Sequence, residues 1–408
     1  MLWVLWITYG SFYFCRTNIS AAIPGLGQEF DLSKSEIGLI LGALKIAYAL
    51  GQLINGQLAE RISARRLLAI GMFVSAALNI VFGFGTALYF FVFIWACNGY
   101  AQALGWPPSM RVAANWFPSS KRGKAIGIIG TGYQVSAAAT FIIAGFSADH
   151  FGWRGAMFLP AGLFFLGAVH MLFFLHEHPR EEDPESPAVE KSVTVSAEVD
   201  ASPARSTFMA NLTVTLSNPA LWLLGLSLGL LNACRYGFLD WGISHLLETS
   251  GGSIGKAGVK YALLPVGGIA GSLLVGWMTD RYFGGRRAPV ICVMLVLLGC
   301  LTLVYNEFVS AGLWYSMPIL FLVGFTVYGS QVHLVGSAPM DLARKGTAAA
   351  GVGFVNCLGY VGAFSGDAVT GILVDRFEWR VALYFWAACA FVSAGTTGLL
   401  WKTTAKTD

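Results

Sequence analysis

Long apolar segments recur along the whole chain and are separated by short polar stretches. There are twelve of them, at residues 2–23, 35–58, 66–86, 88–110, 123–147, 154–175, 219–246, 257–279, 288–306, 313–335, 347–373 and 379–401. An α-helix needs about 20 apolar residues to cross the hydrocarbon core of a bilayer, and each segment is long enough to do so. The pattern therefore predicts an all-α membrane protein with twelve transmembrane helices.

One polar stretch is much longer than the others and separates six apolar segments from the next six. Residues 177–217 are charged, contain several prolines and have few large apolar side chains, a composition typical of a flexible linker. We therefore predict an N-terminal six-helix bundle at 1–176, a cytoplasmic linker at 177–217 and a C-terminal six-helix bundle at 218–408. His176, Glu177 and His178 stand alone at a predicted helix end, which indicates a solvated loop rather than a metal site.

The two halves repeat three short motifs in the same order. GQLAERISARR follows the second segment and GWMTDRYFGGRR follows the eighth, while KRGKAIG opens the fifth and RKGTAAAG opens the eleventh. DHFGWR precedes the sixth segment and DRFEWR precedes the twelfth. Three matched pairs indicate an internal duplication. Parallel six-helix repeats around a central cavity are the architecture of the major facilitator superfamily, so we expect that fold with its two pseudo-symmetric bundles.

Composition supports a membrane protein and argues against an enzyme. Hydrophobic residues make up 56% of the chain and charged residues only 12%, about half the charged share of a soluble domain. The seven cysteines all lie in apolar segments and form no CxxC pair, which is typical of packing residues. There is no phosphate loop, metal cluster or nucleophile–base pair with a recognisable spacing. We therefore expect neither an enzyme nor a cofactor.

The distribution of basic residues predicts the orientation in the membrane. With a cytoplasmic N-terminus, seventeen lysines and arginines lie on the cytoplasmic side and six on the opposite side. The first segment has no basic residues before it and contains Arg16, so it is interpreted as a mature helix and not as a signal peptide. We expect a multi-pass protein of the bacterial inner membrane with both termini cytoplasmic. The net charge of +4 reflects this topology and not binding of nucleic acid.

Arg16 and Arg235 lie inside apolar segments and occupy equivalent places in the two halves. Each follows a cysteine, and they precede Glu60 and Asp280 by 44 and 45 residues. Pseudo-two-fold symmetry predicts that they face each other across the central cavity. A guanidinium keeps its proton and binds phosphate oxygens with two parallel N–H groups. The pair therefore predicts a site for a tetrahedral dianion, and repulsion between the arginines in the empty protein favours exchange over uptake.

Polar and aromatic side chains at helical spacing extend the predicted site. Tyr9 and Tyr13 share the helix face of Arg16, and two further faces carry Lys45, Tyr48 and Gln52, and Asn356, Tyr360 and Asp367. For Asp367 we expect one of three roles: it neutralises Lys45 or Arg235, it contacts a sugar hydroxyl, or it carries a proton. Asp240 is five residues from Arg235, on another helix face, and is expected to be a structural partner. His333 is a second candidate proton site.

The short loops after the second and eighth segments carry a second set of charged residues. We predict that these side chains latch neighbouring helices in the outward-open state and do not touch substrate. The residues are Glu60, Arg61, Arg65, Arg66, Asp280, Arg281, Arg286 and Arg287.

Several motifs resemble those of the organophosphate:phosphate antiporter family, over essentially the whole chain except the linker. They are YFCRTN (13–18), GWPP (105–108), RYGFLDW (235–241), GWMTDR (276–281), YG (328–329) and GTAAAGVGF (346–354). The resemblance implies an alternating-access, rocker-switch exchanger of inorganic phosphate for a phosphorylated metabolite such as a sugar phosphate or glycerol phosphate. It also implies that Arg16 and Arg235 bind the phosphate.

This chain departs from the bacterial exchangers of that family at two positions. They carry a histidine where it has Tyr133, followed by Gln134, and a lysine where it has Gln52. Lys45 lies about two turns before Gln52 on nearly the same face and is a displaced cation that takes over part of the lysine's role. The departures bear on which organophosphate is carried. We include Tyr133 and Gln134 in the predicted substrate site.

Two other functions stay open on the sequence alone. One is a proton-coupled importer of organic anions or phosphonates, in which Asp367 or His333 is the proton site. The other is a membrane sensor of the same fold that binds a sugar phosphate. For the leading hypothesis the expected partners are inorganic phosphate, an organophosphate and the lipid bilayer, and the protein is expected to act as a monomer.

Overall fold

The computed structural model describes residues 1–179, 213–283, 286–310, 313–342 and 348–401, and the regular elements in these ranges are all helices. In the N-terminal half, the first pass across the membrane combines α1 and α2. The second and third passes are α3 and α4, the fourth combines α5 and α6, and α7 makes the fifth and sixth. The bounds are Leu2–Ser11 (α1), Ile19–Phe30 (α2), Lys34–Arg61 (α3), Ala64–Gly83 (α4), Leu88–Gln102 (α5), Trp106–Trp116 (α6) and Ser119–Phe174 (α7). Gly152, with φ of 69°, makes the bend within α7.

The C-terminal half repeats this arrangement with more interruptions. Its seventh pass combines α8, a π-helical segment and α9, its eighth combines α10 and α11, and its ninth is α12. The tenth combines α13, a second π-helical segment and α14, and the last two are α15 and α16. The bounds are Pro219–Tyr236 (α8), Gly237–Trp241 (π), Gly242–Ser250 (α9), Ile254–Tyr261 (α10), Leu263–Tyr282 (α11), Arg287–Ser310 (α12), Leu313–Val332 (α13), His333–Ser337 (π), Ala338–Leu342 (α14), Ala348–Arg376 (α15) and Trp379–Gly398 (α16).

Length and composition agree with membrane-spanning helices. Within the described ranges, seven helical stretches are long and apolar enough to cross a membrane, and Lys121–Phe174 among them contains two passes. The first, fourth, seventh, eighth and tenth passes are each divided between two helices. Most of the predicted linker, residues 180–212, lies outside the described residues. The chain resumes with a helical turn at 213–216 before α8.

The helices of the two halves pack in the same pattern. In the N-terminal half α1 packs on α7, α3 on α5 and α4 on α7. In the C-terminal half the equivalent pairs are α8 on α15, α11 on α13 and α12 on α16. These pairs join passes one and five, two and four, and three and six of each half. The duplication predicted from the motifs is thus confirmed. The halves meet where α3 packs on α15 and α7 on α10.

Glycines let the halves approach each other backbone to backbone at both of these contacts. A Cβ atom on Gly258 would lie 2.1 Å from the carbonyl oxygen of Phe141, and one on Gly371 would lie 2.3 Å from that of Lys34. Neither position has room for a side chain. Small residues at helix crossings give the close packing on which helix association in a membrane depends.

Two aspartates, one from each half, close the side of the bundle opposite the N-terminus. Asp149 accepts hydrogen bonds from two backbone N–H groups at the start of α10, both at 2.9 Å. Asp375 accepts them from the N–H groups of Lys34 and Ser35 at the start of α3, at 2.8 and 2.7 Å. Free N–H groups and the helix dipole stabilise an anion at a helix N-terminus. The first residues of the repeated DHFGWR and DRFEWR motifs therefore hold the two halves together.

Removing these caps is expected to open this side of the protein. Asp149→Ala and Asp375→Ala should each cost the closed conformation about 1 kcal/mol, as other helix caps do, and their effects should add in the double variant. Spin labels placed across the closure would report the change as a larger population at long distance. Asp31→Asn, at the exposed C-cap of α2 on the same side, is the control, because asparagine tolerates the left-handed φ of 50° there. An unchanged distance distribution in the double variant would contradict the role of the caps.

Glu177 serves as a cap rather than a metal ligand. Its carboxylate accepts hydrogen bonds from the Ser63 hydroxyl and the Arg65 backbone N–H, at the start of α4. Burial alone would raise the pKa of Glu177, but these hydrogen bonds outweigh it and lower the pKa. Within the described part of the chain there is no cluster of three metal-ligating side chains.

Candidate functional site

Arg16 lies at a break in the first pass. A 3₁₀ segment, Phe12–Cys15, separates α1 from α2, and Arg16 follows it directly. The guanidinium carbon lies 4.9 Å from the ring centroid of Tyr13 and 4.5 Å from that of Tyr48. Its Nε donates to Oε1 of Gln102 at 3.2 Å. The residue is only 6% exposed, and its Nη2 has no hydrogen-bond partner in the part of the chain that the structure describes.

A buried amide network supports this break. The break frees the carbonyl of Cys15, which accepts a hydrogen bond from Nδ2 of Asn98 at 2.9 Å. Asn98 in turn accepts from the Ser75 hydroxyl, and Ser75 accepts from the amide of Gln102. The network therefore satisfies a backbone group that the helix leaves free and orients the Gln102 oxygen toward Arg16. These residues were not predicted, although they are polar positions in otherwise apolar helices.

Arg235 lies at the equivalent place in the seventh pass, next to another irregularity. It is the penultimate residue of α8, just before the π-helical segment. Its guanidinium carbon is 4.8 Å from the ring centroid of Tyr236 and 5.0 Å from that of Tyr328. Arg235 is 3% exposed, and its Nε has no partner. Both arginines are thus buried between two tyrosine rings, and among the described residues neither forms an ion pair with a carboxylate.

Tyrosine rings connect the two arginines along one side of the site. Tyr13, beside Arg16, stacks on Tyr133 with ring centroids 4.8 Å apart. Tyr133 lies 6.2 Å from Tyr328, which contacts Arg235. The first two rings belong to the N-terminal half and the third to the C-terminal half. The arginines therefore share one continuous aromatic wall that crosses between the halves.

A second series of rings closes the site on the other side. Tyr48, beside Arg16, lies 4.5 Å from Tyr360 between ring centroids. Tyr360 lies 6.4 Å from Tyr236, which contacts Arg235. Two arginines and six tyrosines, three from each half, thus form a closed circle, which we call the arginine–tyrosine ring. Tyr236 and Tyr328 were not predicted as site residues, although both lie in motifs that carry the family resemblance.

Two further predicted residues lie close to this ring. Tyr9 packs edge-on against Tyr133, with centroids 6.1 Å apart, and is buried. Gln134 follows Tyr133 and donates from Nε2 to the Ser272 hydroxyl at 3.2 Å. This hydrogen bond crosses from α7 to α11, so Gln134 connects the two halves beside the ring.

Gln52 and Asn356 lie about one helical turn from tyrosines of the arginine–tyrosine ring, on α3 and α15 respectively. The Gln52 amide donates to the carbonyl of Ala103 at 3.4 Å, within the N-terminal half. Asn356 is half-buried on α15, one turn before Tyr360. Their place in a substrate site remains a prediction from helical spacing. His333 lies between the hydroxyls of Thr279 and Ser337, both at 3.0 Å, inside the C-terminal half.

Lys45 is neutralised by two carboxylates of the opposite half. Its ammonium group pairs with Asp240 and, at 2.8 Å, with Asp367. Of the roles expected for Asp367, neutralisation of Lys45 is the contact that this conformation contains. Asp240 contacts Lys45, and its structural role stays a prediction. Lys45 is thus a paired cation in this conformation, and its part in the substrate site also stays a prediction.

The π-helical segment explains how Asp240 reaches Lys45. Five residues in a π-helix occupy about the same rotation as slightly more than four in an α-helix, so the segment displaces the following side chains around the axis. Lys45 also lies 4.8 Å from the ring centroid of Tyr236, the ring that Arg235 contacts. The ion cluster of Lys45, Asp240 and Asp367 is therefore one tyrosine away from the arginine–tyrosine ring.

The residues predicted to form a latch are described only in part. The side chains of Glu60, Arg61 and Asp280 lie outside the described residues. Arg65 donates to the carbonyl of Leu172, and Arg287 lies 3.5 Å from a carboxylate oxygen of Asp341, each within one half. The exposed members are Arg65, Arg66, Arg281 and Arg286. The latch remains a prediction.

Comparison with known proteins agrees with this architecture. Residues 5–367 match the family profile described as "Major Facilitator Superfamily". A bacterial homologue of the human lysosomal transporter Spinster, solved in an inward-facing and occupied conformation, superposes with a TM-score of 0.78 at 16% identity. That comparison covers 99% of this chain and 97% of the homologue, and it supports the fold.

Three similar sequences match nearly the whole chain. A "Probable hexose phosphate transport protein" of Chlamydia trachomatis is 29% identical over 95% of this chain and 88% of its own length. The "Glycerol-3-phosphate transporter" of Bacillus subtilis is 30% identical over 98% and 91%. The "Membrane sensor protein UhpC" of Salmonella typhimurium is 30% identical over 98% and 90%. The family consists of membrane transporters and not enzymes. The chain belongs to the major facilitator superfamily and, within it, to the organophosphate:phosphate antiporter family.

Proposed function

We propose that this protein is an alternating-access transporter that exchanges inorganic phosphate for a phosphorylated small metabolite. The observation that carries the proposal is the pair of buried arginines, one from each half, without carboxylate partners among the described residues. Burial of an unpaired charge costs several kcal/mol. Lys45, which is buried nearby, is neutralised by two aspartates, whereas the arginines have no carboxylate counter-charge among the described residues.

The geometry of the arginines suits phosphate in particular. A tyrosine ring against the face of a guanidinium leaves its N–H groups free at the edge, where they can bind two oxygens of one anion. Arg16 Nη2 and Arg235 Nε are buried N–H groups without partners. The hydroxyl of Tyr328 is also buried without a partner. A tetrahedral dianion between the halves would satisfy these donors and neutralise both arginines.

The tyrosines supply a surface for the organic part of the substrate. Aromatic rings contact the apolar C–H groups of a sugar or glycerol, and their hydroxyl groups can bond to hydroxyls. Two of the relatives are named for transport of hexose phosphate and of glycerol-3-phosphate, which combine these features. We place Tyr9, Tyr13, Tyr48, Tyr133, Gln134 and Tyr360 at the substrate, with Tyr236 and Tyr328. Lys45, Gln52, Asn356 and Asp367 would act on specificity from the adjoining helix faces.

The closed side of the protein supports an assignment of this conformation within the transport cycle. The excess of basic residues predicts that the N-terminus is cytoplasmic, in the inner membrane of a bacterium. The caps formed by Asp149 and Asp375 would then close the periplasmic side. This conformation would be the inward-facing state of a monomeric rocker switch. Anion binding favours closure because it removes the repulsion between Arg16 and Arg235, which explains exchange.

Exchange is tested with purified protein in vesicles. Uptake of labelled phosphate into phosphate-loaded vesicles is expected to be at least about tenfold faster than into empty ones, which corresponds to about 1.4 kcal/mol of added barrier in the empty protein. Sugar phosphates, glycerol phosphates, phosphoglycerates and phosphonates inside the vesicles then identify the organic substrate. Equal uptake into empty and loaded vesicles would refute exchange. Collapse of that uptake by a protonophore would favour proton-coupled import.

A sensor is the second candidate, because one relative at 30% identity is named a membrane sensor protein. A sensor of this fold would bind a sugar phosphate at the same arginines. Binding to the purified protein, measured together with flux in vesicles, separates the two functions. Tight binding without any flux would favour the sensor over the exchanger.

A further inference from the structure

The ion cluster of Lys45, Asp240 and Asp367 contains more negative than positive charge. Two carboxylates share one ammonium group, and all three side chains are at most 4% exposed. A buried charge without compensation is costly, and two carboxylates in one site do not both ionise easily. The cluster therefore favours either a further cation or the loss of one negative charge.

The cluster lies where α3 and α15 are in close contact. A Cβ atom on Gly38 would lie 2.7 Å from the carbonyl oxygen of Asp367, so α3 and α15 are in backbone contact there. Asp367 itself is completely buried. The indole of Trp241 lies beside its carboxylate, but its N–H has no aligned hydrogen bond. A proton is the cation that compensates a carboxylate here without needing added space between the helices.

The charges of the ion cluster and of the arginine–tyrosine ring are close enough to interact electrostatically. The charged groups at Asp367 are Lys45 on α3 and Asp240 on the seventh pass. Beyond them Lys45 contacts the Tyr236 ring, which also contacts Arg235 and lies 6.4 Å from Tyr360 on α15. Lys45 and Arg235 lie at the same distance, 4.8 Å, from the ring centroid of Tyr236. The ring and the cluster together hold three cations and two carboxylates, a net charge of one positive. A bound phosphate dianion would change this to one negative.

We propose that Asp367 takes up a proton when a phosphate dianion binds between Arg16 and Arg235, so that the proton accompanies the anion. The proton comes from water and adds to a carboxylate oxygen, which leaves the loaded site neutral. The coupling arises because bound phosphate cancels the positive charge of Arg235, which otherwise offsets the excess negative charge of the cluster. This inference rests on the proposed phosphate site and adds a second ligand to it.

Calorimetry measures how many protons the protein takes up with each bound phosphate. Inorganic phosphate is titrated into the full-length purified protein in two buffers with different ionisation enthalpies. The unmodified protein is expected to take up about one proton more per bound phosphate than Asp367→Asn, so its affinity gains about tenfold more per pH unit on acidification. Protonation of phosphate itself contributes equally to both proteins. Asp367→Glu keeps a carboxyl group and should keep the extra proton. His333→Gln tests the other candidate proton site and should also keep it.

Infrared difference spectroscopy shows whether the extra proton lies on an aspartate, and loss of the signal in Asp367→Asn assigns it to Asp367 rather than Asp240. Phosphate-bound minus phosphate-free spectra should show the carbonyl stretch of a protonated carboxyl group, shifted when aspartate is isotopically labelled. Equal proton counts in the unmodified protein and Asp367→Asn, or an extra proton without this band, would overturn the inference. Loss of the extra proton in His333→Gln would also overturn it. Absence of phosphate binding by the unmodified protein would instead refute the proposed function.

Discussion

Arg235→Lys and Arg16→Lys are each expected to weaken phosphate binding about 10- to 150-fold, although lysine keeps the positive charge. This range corresponds to the loss of one charge-assisted hydrogen bond, about 1.5–3 kcal/mol. An ammonium group is a point charge and cannot present two parallel N–H groups to two phosphate oxygens. It also lacks the planar surface of the guanidinium, whose carbon lies within 5.0 Å of two tyrosine ring centroids at each arginine. Glutamine should be worse, because one arginine alone must then neutralise the dianion.

The measurement is phosphate affinity of the purified variants together with phosphate self-exchange in vesicles. Arg380→Lys is a matched control, because Arg380 also contacts a tyrosine, with its Nε donating to Tyr384 at 3.0 Å. That pair is exposed and belongs to the closed side rather than to the arginine–tyrosine ring. If Arg235→Lys bound and exchanged phosphate as well as Arg380→Lys, Arg235 would be a structural residue and the two-arginine site would be wrong.

The fold was largely predictable because a bilayer permits few solutions. Backbone groups in hydrocarbon must bond to each other, so long apolar segments become helices. The repeated motifs then identified the two halves. The breaks in the first and seventh passes were not predicted. They depend on partners from other helices, such as Asn98 at the Cys15 carbonyl, and on a π-helical segment for which the sequence carries no simple pattern.

The candidate site was predictable where it depends on helical spacing or on symmetry. Symmetry paired Arg16 with Arg235, and spacing placed Tyr13 on the face of Arg16. Contacts between distant helices were missed. Gln102 on α5 contacts Arg16, and Tyr328 on α13 contacts Arg235. Such contacts depend on how the passes pack against each other, which no single segment encodes.

For Asp149 and Asp375, too, the motif could be recognised in the sequence but the contacts between helices could not. The repeated motifs that begin with these residues were visible in the sequence. Their role was not, because each aspartate caps a helix of the other half. Each motif lies within one repeat, but its first aspartate binds a helix of the other repeat.

Lys45→Met is expected to destabilise this conformation by about 3–5 kcal/mol, the cost of leaving buried charge without its partner. The substitution keeps a similar side-chain volume and leaves the carboxylates of Asp240 and Asp367 facing each other in a buried site. Replacement of both aspartates by asparagine in the same protein should recover most of this loss, because an uncharged cluster has no charge to compensate. Thermal unfolding of the purified variants and spin-label distances across the closed side measure the effect.

Lys34→Met provides the matched control for this prediction. Lys34 also pairs with an acid of the other half, Glu248, but the two side chains are 24% and 43% exposed. Its loss should cost about 0–1 kcal/mol, as for other exposed ion pairs. If Lys45→Met were as stable as Lys34→Met, or if the aspartate replacements failed to restore stability, the cluster would not hold the halves together. A changed ranking of organophosphates with unchanged stability would place Lys45 at the substrate instead.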